Sequence, residues 1–194
     1  ARPLLRQTLW LIKTQIHNEL ITATSDAVAL SFPLTVDADE FADAIASNQL
    51  ERAVSLYSGD FFGGYAAPGA ARFEEWASLE GTRLRGIFVH AAEALARRAL
   101  DSGRFPEAIA LARRMRMADP HGQASWRLLL EARIASGDSI GARAEADQFE
   151  QWLHDEEWES EPASRATIQA ARRSKESRDS APNRDELVAE LVGR

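Results

Sequence analysis

The 194-residue sequence contains no cysteine, which excludes disulfides, thiol catalysis and thiolate metal sites together. It also lacks any apolar run of about 18 residues, the length a membrane-spanning helix needs. No charged-then-apolar secretion signal opens it. Positive charge is in deficit: 23 Lys and Arg stand against 30 Asp and Glu, a formal net charge of -7. That balance argues against a globally basic nucleic-acid binder and leaves room only for a local patch. With 45% hydrophobic residues the chain can still bury a core, enough for one generous domain or two small ones. The cytoplasm is the expected compartment, and Ala1 in place of Met suggests a piece of a longer protein.

Signatures of catalysis are missing as well. The four histidines, His17, His90, His121 and His154, are scattered and form no ligand pattern, so no metal site is expected. Gly59-Asp60-Phe61-Phe62-Gly63-Gly64 is glycine-rich but lacks the Gly-Lys-Ser/Thr that a phosphate-binding loop requires. It reads as a turn whose Phe61 and Phe62 anchor into the helices. Ser55, Ser58 and Ser78 have no Gly-x-Ser-x-Gly context. No catalytic residue, cofactor or metal is expected, and the chain does not read as an enzyme.

What is present is helical periodicity. Alanine, the best helix former, dominates from Ala91 to Ala99 and from Ala108 to Ala146. Apolar residues recur at helical spacing in Leu5, Leu9, Ile12, Ile16, in Phe73, Trp76, Leu84, Ile87, Phe88, and in Ile109, Leu111, Ala112, Met115. One stretch reads as strand. From Leu20 to Phe32, β-favouring runs flank the turn-prone Thr24-Ser25-Asp26, and Val28, Leu30 and Phe32 alternate onto one face.

The most informative pattern is internal. A shift of 34 residues, the length of a tetratricopeptide helix–turn–helix unit, places Ser102 on Ser136, Gly103 on Gly137, Ala108 on Ala142, Ala112 on Ala146 and Leu95 on Leu129. Gly103 and Gly137 fall where a helix stops and the chain reverses, which favours positive φ. Ala108 and Ala142 fall where two helices cross closely. Trp126 and Leu129 supply the W-x-x-L spacing of a first helix, and Asp119-Pro120 closes one unit and caps the next. Helices around 73–92 and 163–174 should cap the stack, because repeats bury their faces only against neighbours. The alternative is a chance register in an alanine-rich bundle.

Leu56-Tyr57-Ser58-Gly59-Asp60-Phe61-Phe62-Gly63-Gly64-Tyr65 resembles the "LYRGDLLEGF" signature of the bacterial transcriptional activator domain, found in Streptomyces antibiotic regulatory proteins. Val36-Asp37-Ala38-Asp39-Glu40-Phe41 is similar to the "vDvxxFe" start of that domain. Phe73-Glu74-Glu75-Trp76, Arg83-Leu84-Arg85, Ala108-Ile109, Ala112-Arg113-Arg114 and Asp119-Pro120 follow in its order, and Glu159-Ser160-Glu161-Pro162-Ala163-Ser164 resembles its closing "GVEPSPET" turn. Glu80-Gly81 departs from the usual Glu-Arg, which removes a helix-surface ion pair and weakens the helix by about 1 kcal/mol relative to alanine.

The resemblance implies a mainly α fold: a right-handed, tetratricopeptide-like stack of helical hairpins over 35–174. A recognition-type helix and a β-hairpin, the wing of a winged-helix DNA-binding domain, precede it over 1–34. Residues 2–16 resemble the recognition helix, with Leu5-Arg6-Gln7-Thr8-Leu9 matching its first half; Trp10-Leu11-Ile12-Lys13-Thr14 replaces an Arg-rich segment. Arg2, Arg6, Gln7, Lys13 and Thr14 are the candidate DNA contacts, against base edges and phosphates. With Leu5, Leu9, Ile12 and Ile16 facing inward, Arg6 and Lys13 are expected on the outward face. The bland reading of this helix is a terminal amphipathic element packed on the repeats.

The implied partners are DNA, through the complete winged helix, and a protein such as RNA polymerase or a second copy of the regulator, with no membrane. The alternative is a tetratricopeptide-type scaffold that binds a partner protein without DNA. Asp147 to Glu161 holds seven carboxylates and no Lys or Arg, either a solvated face or an electrostatic docking surface. From Arg172 the composition turns to that of a linker, and 175–194 is a linker or the start of a further region, in which Asn183 could cap a short helix through Leu191.

Overall fold

The computed structural model describes residues 2–174 apart from 18, 25 and 66, and for Arg2 the backbone alone. The chain divides into two units, Ala1–Glu40 and Phe41–Arg194. In the first, α1 (Arg2–Gln15) precedes β1 (Ile21–Ala23) and β2 (Val28–Leu30). The strands pair antiparallel with Ile21 opposite Leu30, Thr22 opposite Ala29 and Ala23 opposite Val28. Thr24 N–H donates to the Ala27 carbonyl at 2.8 Å, and the Thr22 and Ser31 hydroxyls meet at 2.9 Å, so the expected hairpin forms where the turn residues place it. Val28, Leu30 and Phe32 nevertheless stay exposed.

The helices α2 (Asp37–Ala46), α3 (Leu50–Leu56), α4 (Ala71–Asp101), α5 (Phe105–Ala118), α6 (Gln123–Ala135), α7 (Ser139–Asp155) and α8 (Pro162–Arg173) make the chain mainly α. The C-terminal half of α4 pairs with α5, α6 pairs with α7, and α8 packs on both α6 and α7. The two hairpins turn alike. Gly103 has φ 71° and Gly137 φ 75°, the left-handed region in which a side chain is strained. Gly103 N–H donates to Leu100 and Gly137 N–H to Ile134, each at 3.0 Å. Arg104 N–H reaches the Ala99 carbonyl at 2.8 Å and Asp138 N–H the Arg133 carbonyl at 2.9 Å. Both turns are Schellman closures with glycine at C′.

Ala108 and Ala142 are fully buried, as the repeat register requires. Ala99, Ala108 and Ala132 meet where α4, α5 and α6 converge, and their missing bulk permits the close approach. A larger cluster joins Trp126, Ala142, Ala146 and Phe149 to Ile168 of α8. Burying a ring such as Phe149 stabilises the fold by about 1.5–3 kcal/mol. Ion pairs run along the stack at the repeat spacing: Arg97 with Glu131 at 3.5 Å and Arg127 with Glu161 at 2.5 Å, each 34 residues apart.

Several local expectations are corrected. Helix α4 is continuous from Ala71 to Asp101, so the 73–92 segment expected as a separate cap leads directly into the first hairpin. Asp119 ends α5, but Gly122 is the N-cap of α6 and no side chain caps it. Arg172 and Arg173 belong to α8 and not to a linker; Arg172 there pairs with Asp147 and Glu150, neutralising part of the acidic stretch. The remaining tail, 175–194, including the expected helix after Asn183, lies outside the described residues.

Candidate functional site

On α1, Arg6, Gln7 and Thr14 are exposed, whereas Lys13 is half-buried. The Thr14 hydroxyl donates back to the Trp10 carbonyl at 2.8 Å. Arg2 begins the helix, and its side chain lies outside the described residues. The expected inward face is only partly covered: Leu9 and Ile12 are half-buried, but Leu5 and Ile16 are exposed, as is Trp10. Lys13 therefore departs from the expected outward face. It lies four residues after Leu9, on the same side of the helix, a relation that outweighs its seven-residue spacing from Arg6.

The Leu56–Tyr65 segment splits into two halves with different fates. Tyr57 stacks on the buried Phe88 with ring centroids 4.2 Å apart. Arg114, from α5, donates through Nη2 to the Val54 carbonyl at 2.8 Å and the Tyr57 carbonyl at 2.9 Å, satisfying the end of α3. Asp60 accepts from Arg85 at 3.0 Å and from the Tyr57 hydroxyl at 3.4 Å. Burial raises the Tyr57 phenol above its ordinary pKa, and the nearby Asp60 charge adds to the rise. The hydrogen bond to Asp60 likewise raises the pKa of Arg85. Ser58 stands where the signature has arginine.

The second half is an aromatic cluster. Phe61, Phe62, Tyr65, Phe73 and Trp76 touch through edge-to-face and tilted contacts, with Phe61 and Phe62 centroids 4.6 Å apart and Phe61 and Trp76 5.6 Å apart. Large apolar rings beside a glycine turn are expected to be largely buried, here Phe61, Phe62, Tyr65 and Trp76, and they are not: Phe62 is 47% exposed, Trp76 50% and Tyr65 65%, with Phe61 half-buried. The reason is geometric. The buried residues of α4 begin only at Leu84, so over its first turns the rings cover each other rather than fill a core. Glu80 also pairs with Arg83 at 2.5 Å, so the ion pair expected to be lost at Glu80-Gly81 is replaced by one within α4.

Two features escaped sequence reasoning. Arg85 and Arg114 were visible only as parts of a spacing pattern, although they organise the turn. Glu145 is the other: it is buried on α7, accepting from Arg116 at 3.0 Å and Arg133 at 3.3 Å. A glutamate in a charged helix reads as surface, and nothing local marks it otherwise. Among the described residues no three metal-ligating side chains gather, and no helix is long and apolar enough to cross a membrane.

No curated protein and no solved structure matches the chain. A family model does: that of the bacterial transcriptional activator domain, over residues 35–172. That match spans α2 through nearly all of α8, including the split Leu56–Tyr65 segment and both hairpins. The chain belongs to the bacterial transcriptional activator domain family.

Proposed function

We propose that in its complete protein this chain regulates transcription, with the helical stack serving as a protein-contact platform beside a winged-helix DNA-binding element over 1–34. The observation that carries this reading is order: a helix exposing Arg6 and Gln7, then an antiparallel hairpin, directly ahead of the family-matched segment. The uncovered apolar residues of α1 and the hairpin support it, since such surface is expected to pack on further elements. In this reading Arg2, Arg6, Gln7, Lys13 and Thr14 face DNA, and the stack contacts RNA polymerase or a second copy of the regulator. A half-buried Lys13 suits a phosphate contact, because lysine can bury its stem and keep its ammonium in water.

The test uses the full-length protein and an operator selected from random DNA. Lys13→Ala should lower the salt slope of binding by about one, and Arg6→Ala should remove roughly 1–3 kcal/mol of base discrimination. If affinity, specificity and salt slope all stay unchanged, the DNA role of α1 is wrong. A second reading then takes its place: a tetratricopeptide-type scaffold that binds a partner protein without DNA. The exposed aromatic cluster favours it, because a contiguous apolar patch is a common mark of a protein interface.

A further inference from the structure

A cleft of about 460 Å³ opens between the segment after α3 and the C-terminal turn of α5, lined by Tyr57, Ser58, Asp60, Phe88, Arg114 and Met117. Its volume falls in the range of small-molecule sites. Arg114 is half-buried, and both of its described hydrogen bonds go through Nη2 to neutral carbonyls. Its guanidinium carbon lies 5.2 Å from the centre of the Phe88 ring. No carboxylate among the described residues pairs with it; Asp60, the acid at the cleft, is committed to Arg85 at 3.0 Å. A partly buried cation without a counter-charge is unfavourable, and an anion in the cleft would offset it.

The Asp60–Arg85 pair is neutral as a unit, so the cleft keeps one formal positive charge, that of Arg114, offset only by carbonyl dipoles and the Phe88 ring and by no carboxylate. That matches a monoanion better than a phosphate dianion, whose second charge would sit near Asp60. The apolar part of the lining asks for more than a bare ion. Phe88 forms part of the wall, and Met117, 83% exposed at the rim, is an adaptable apolar surface. We propose that this cleft binds a small organic monoanion, a carboxylate on an apolar body, with Arg114 as its charge partner. The site stands independently of any DNA contact by α1.

Amide NMR of the full chain tests this with phenylpropionate, its neutral analogue phenylpropanamide, and inorganic phosphate. Phenylpropionate should shift Ser58, Gly59 and Met117 saturably, phenylpropanamide should bind at least tenfold more weakly, and phosphate should leave these signals in place. Arg114→Gln should weaken phenylpropionate at least tenfold. Because Arg114 also closes the end of α3, Ser58→Trp provides a second test: the position is exposed, and the bulky ring should block the mouth without unfolding the chain. Equal binding of acid and amide overturns the proposal. So do undiminished binding to Ser58→Trp, shifts confined to the exposed aromatic cluster, and phosphate saturating the same signals.

Discussion

The two helical hairpins share one backbone plan and fill it with different chemistry. At the reversal both use glycine, and at the crossing both use alanine: Gly103 and Gly137, Ala108 and Ala142. Around those positions they diverge. The first hairpin has Ala99 and Leu111 where the second has Arg133 and Glu145, an ion pair at 3.3 Å with Glu145 buried. It has Ala92 and Met115 where the second stacks Trp126 on Phe149, centroids 5.2 Å apart and nearly parallel. Arg116, reaching across from α5, lies 4.2 Å over Trp126 and also bonds Glu145. Backbone approach and reversal constrain residue type tightly: only a small residue fits the crossing, and glycine takes the positive φ of the turn without strain. Side chains that face a neighbouring element answer instead to what that neighbour presents.

The largest expected effect breaks this comparison at its charged layer. Glu145→Leu places the first hairpin's residue in the second and leaves Arg116 and Arg133 without their shared carboxylate. It should cost about 3 kcal/mol, as removing one member of a buried pair does. Adding Arg133→Ala recreates the Ala99–Leu111 arrangement and should recover part of that loss, since apolar replacement of a buried pair is often neutral, while Arg116 still lacks its carboxylate and the Arg133–Asp138 bond is gone. Urea unfolding of the single and double variants decides it. A double variant no more stable than the single one would show that the two layers are not interchangeable.

Next come the crossings. Ala108→Leu and Ala142→Leu should each overpack a fully buried contact by roughly 1–3 kcal/mol. Unchanged thermal midpoints in both would remove these alanines from the account of the fold. At the reversals, Gly103→Ala and Gly137→Ala should each cost about 1 kcal/mol, because alanine must adopt positive φ. Similar losses at the two sites would sharpen the equivalence of the turns, and a loss at only one would break it.

These small-residue positions were legible in the sequence because backbone geometry restricts them to one or two residue types, and the restriction recurs at a fixed spacing. The hairpin at Ile21–Leu30 was legible for a related reason, since turn chemistry and alternation agree there. Burial was less legible. Phe62 and Trp76 read as core because large rings beside a glycine turn usually are, yet burial depends on where α4 extends, which no local pattern encodes. Glu145 failed in the opposite direction, since its arginine partners come from α5 and α6. For α1, Lys13 sits four residues from Leu9, and helical spacing alone does not say which face is covered.

The smallest effect separates the two hairpins at the start of their second helices. Asp138 is the N-cap of α7: its Oδ1 accepts from Gly141 N–H at 2.9 Å, and its Oδ2 takes a 2.6 Å bond from Arg133. The equivalent cap of α5 is Arg104, whose side chain makes no cap bond and pairs with Glu107 instead. Asp138→Ala should therefore cost about 1 kcal/mol, and Arg104→Asp should gain up to about that much by installing the missing cap. The pH dependence distinguishes capping from a general loss of charge. The Gly141 N–H, and then Arg133, hold the Asp138 carboxyl below its ordinary value of 3.8. A carboxyl with a lowered folded pKa contributes fully above its unfolded value, and the contribution fades as pH falls through the folded one. The gap in unfolding free energy between the chain and Asp138→Ala should accordingly be constant near neutrality and narrow only below about pH 4. A gap that closes already between pH 7 and 5 would assign the effect to another group.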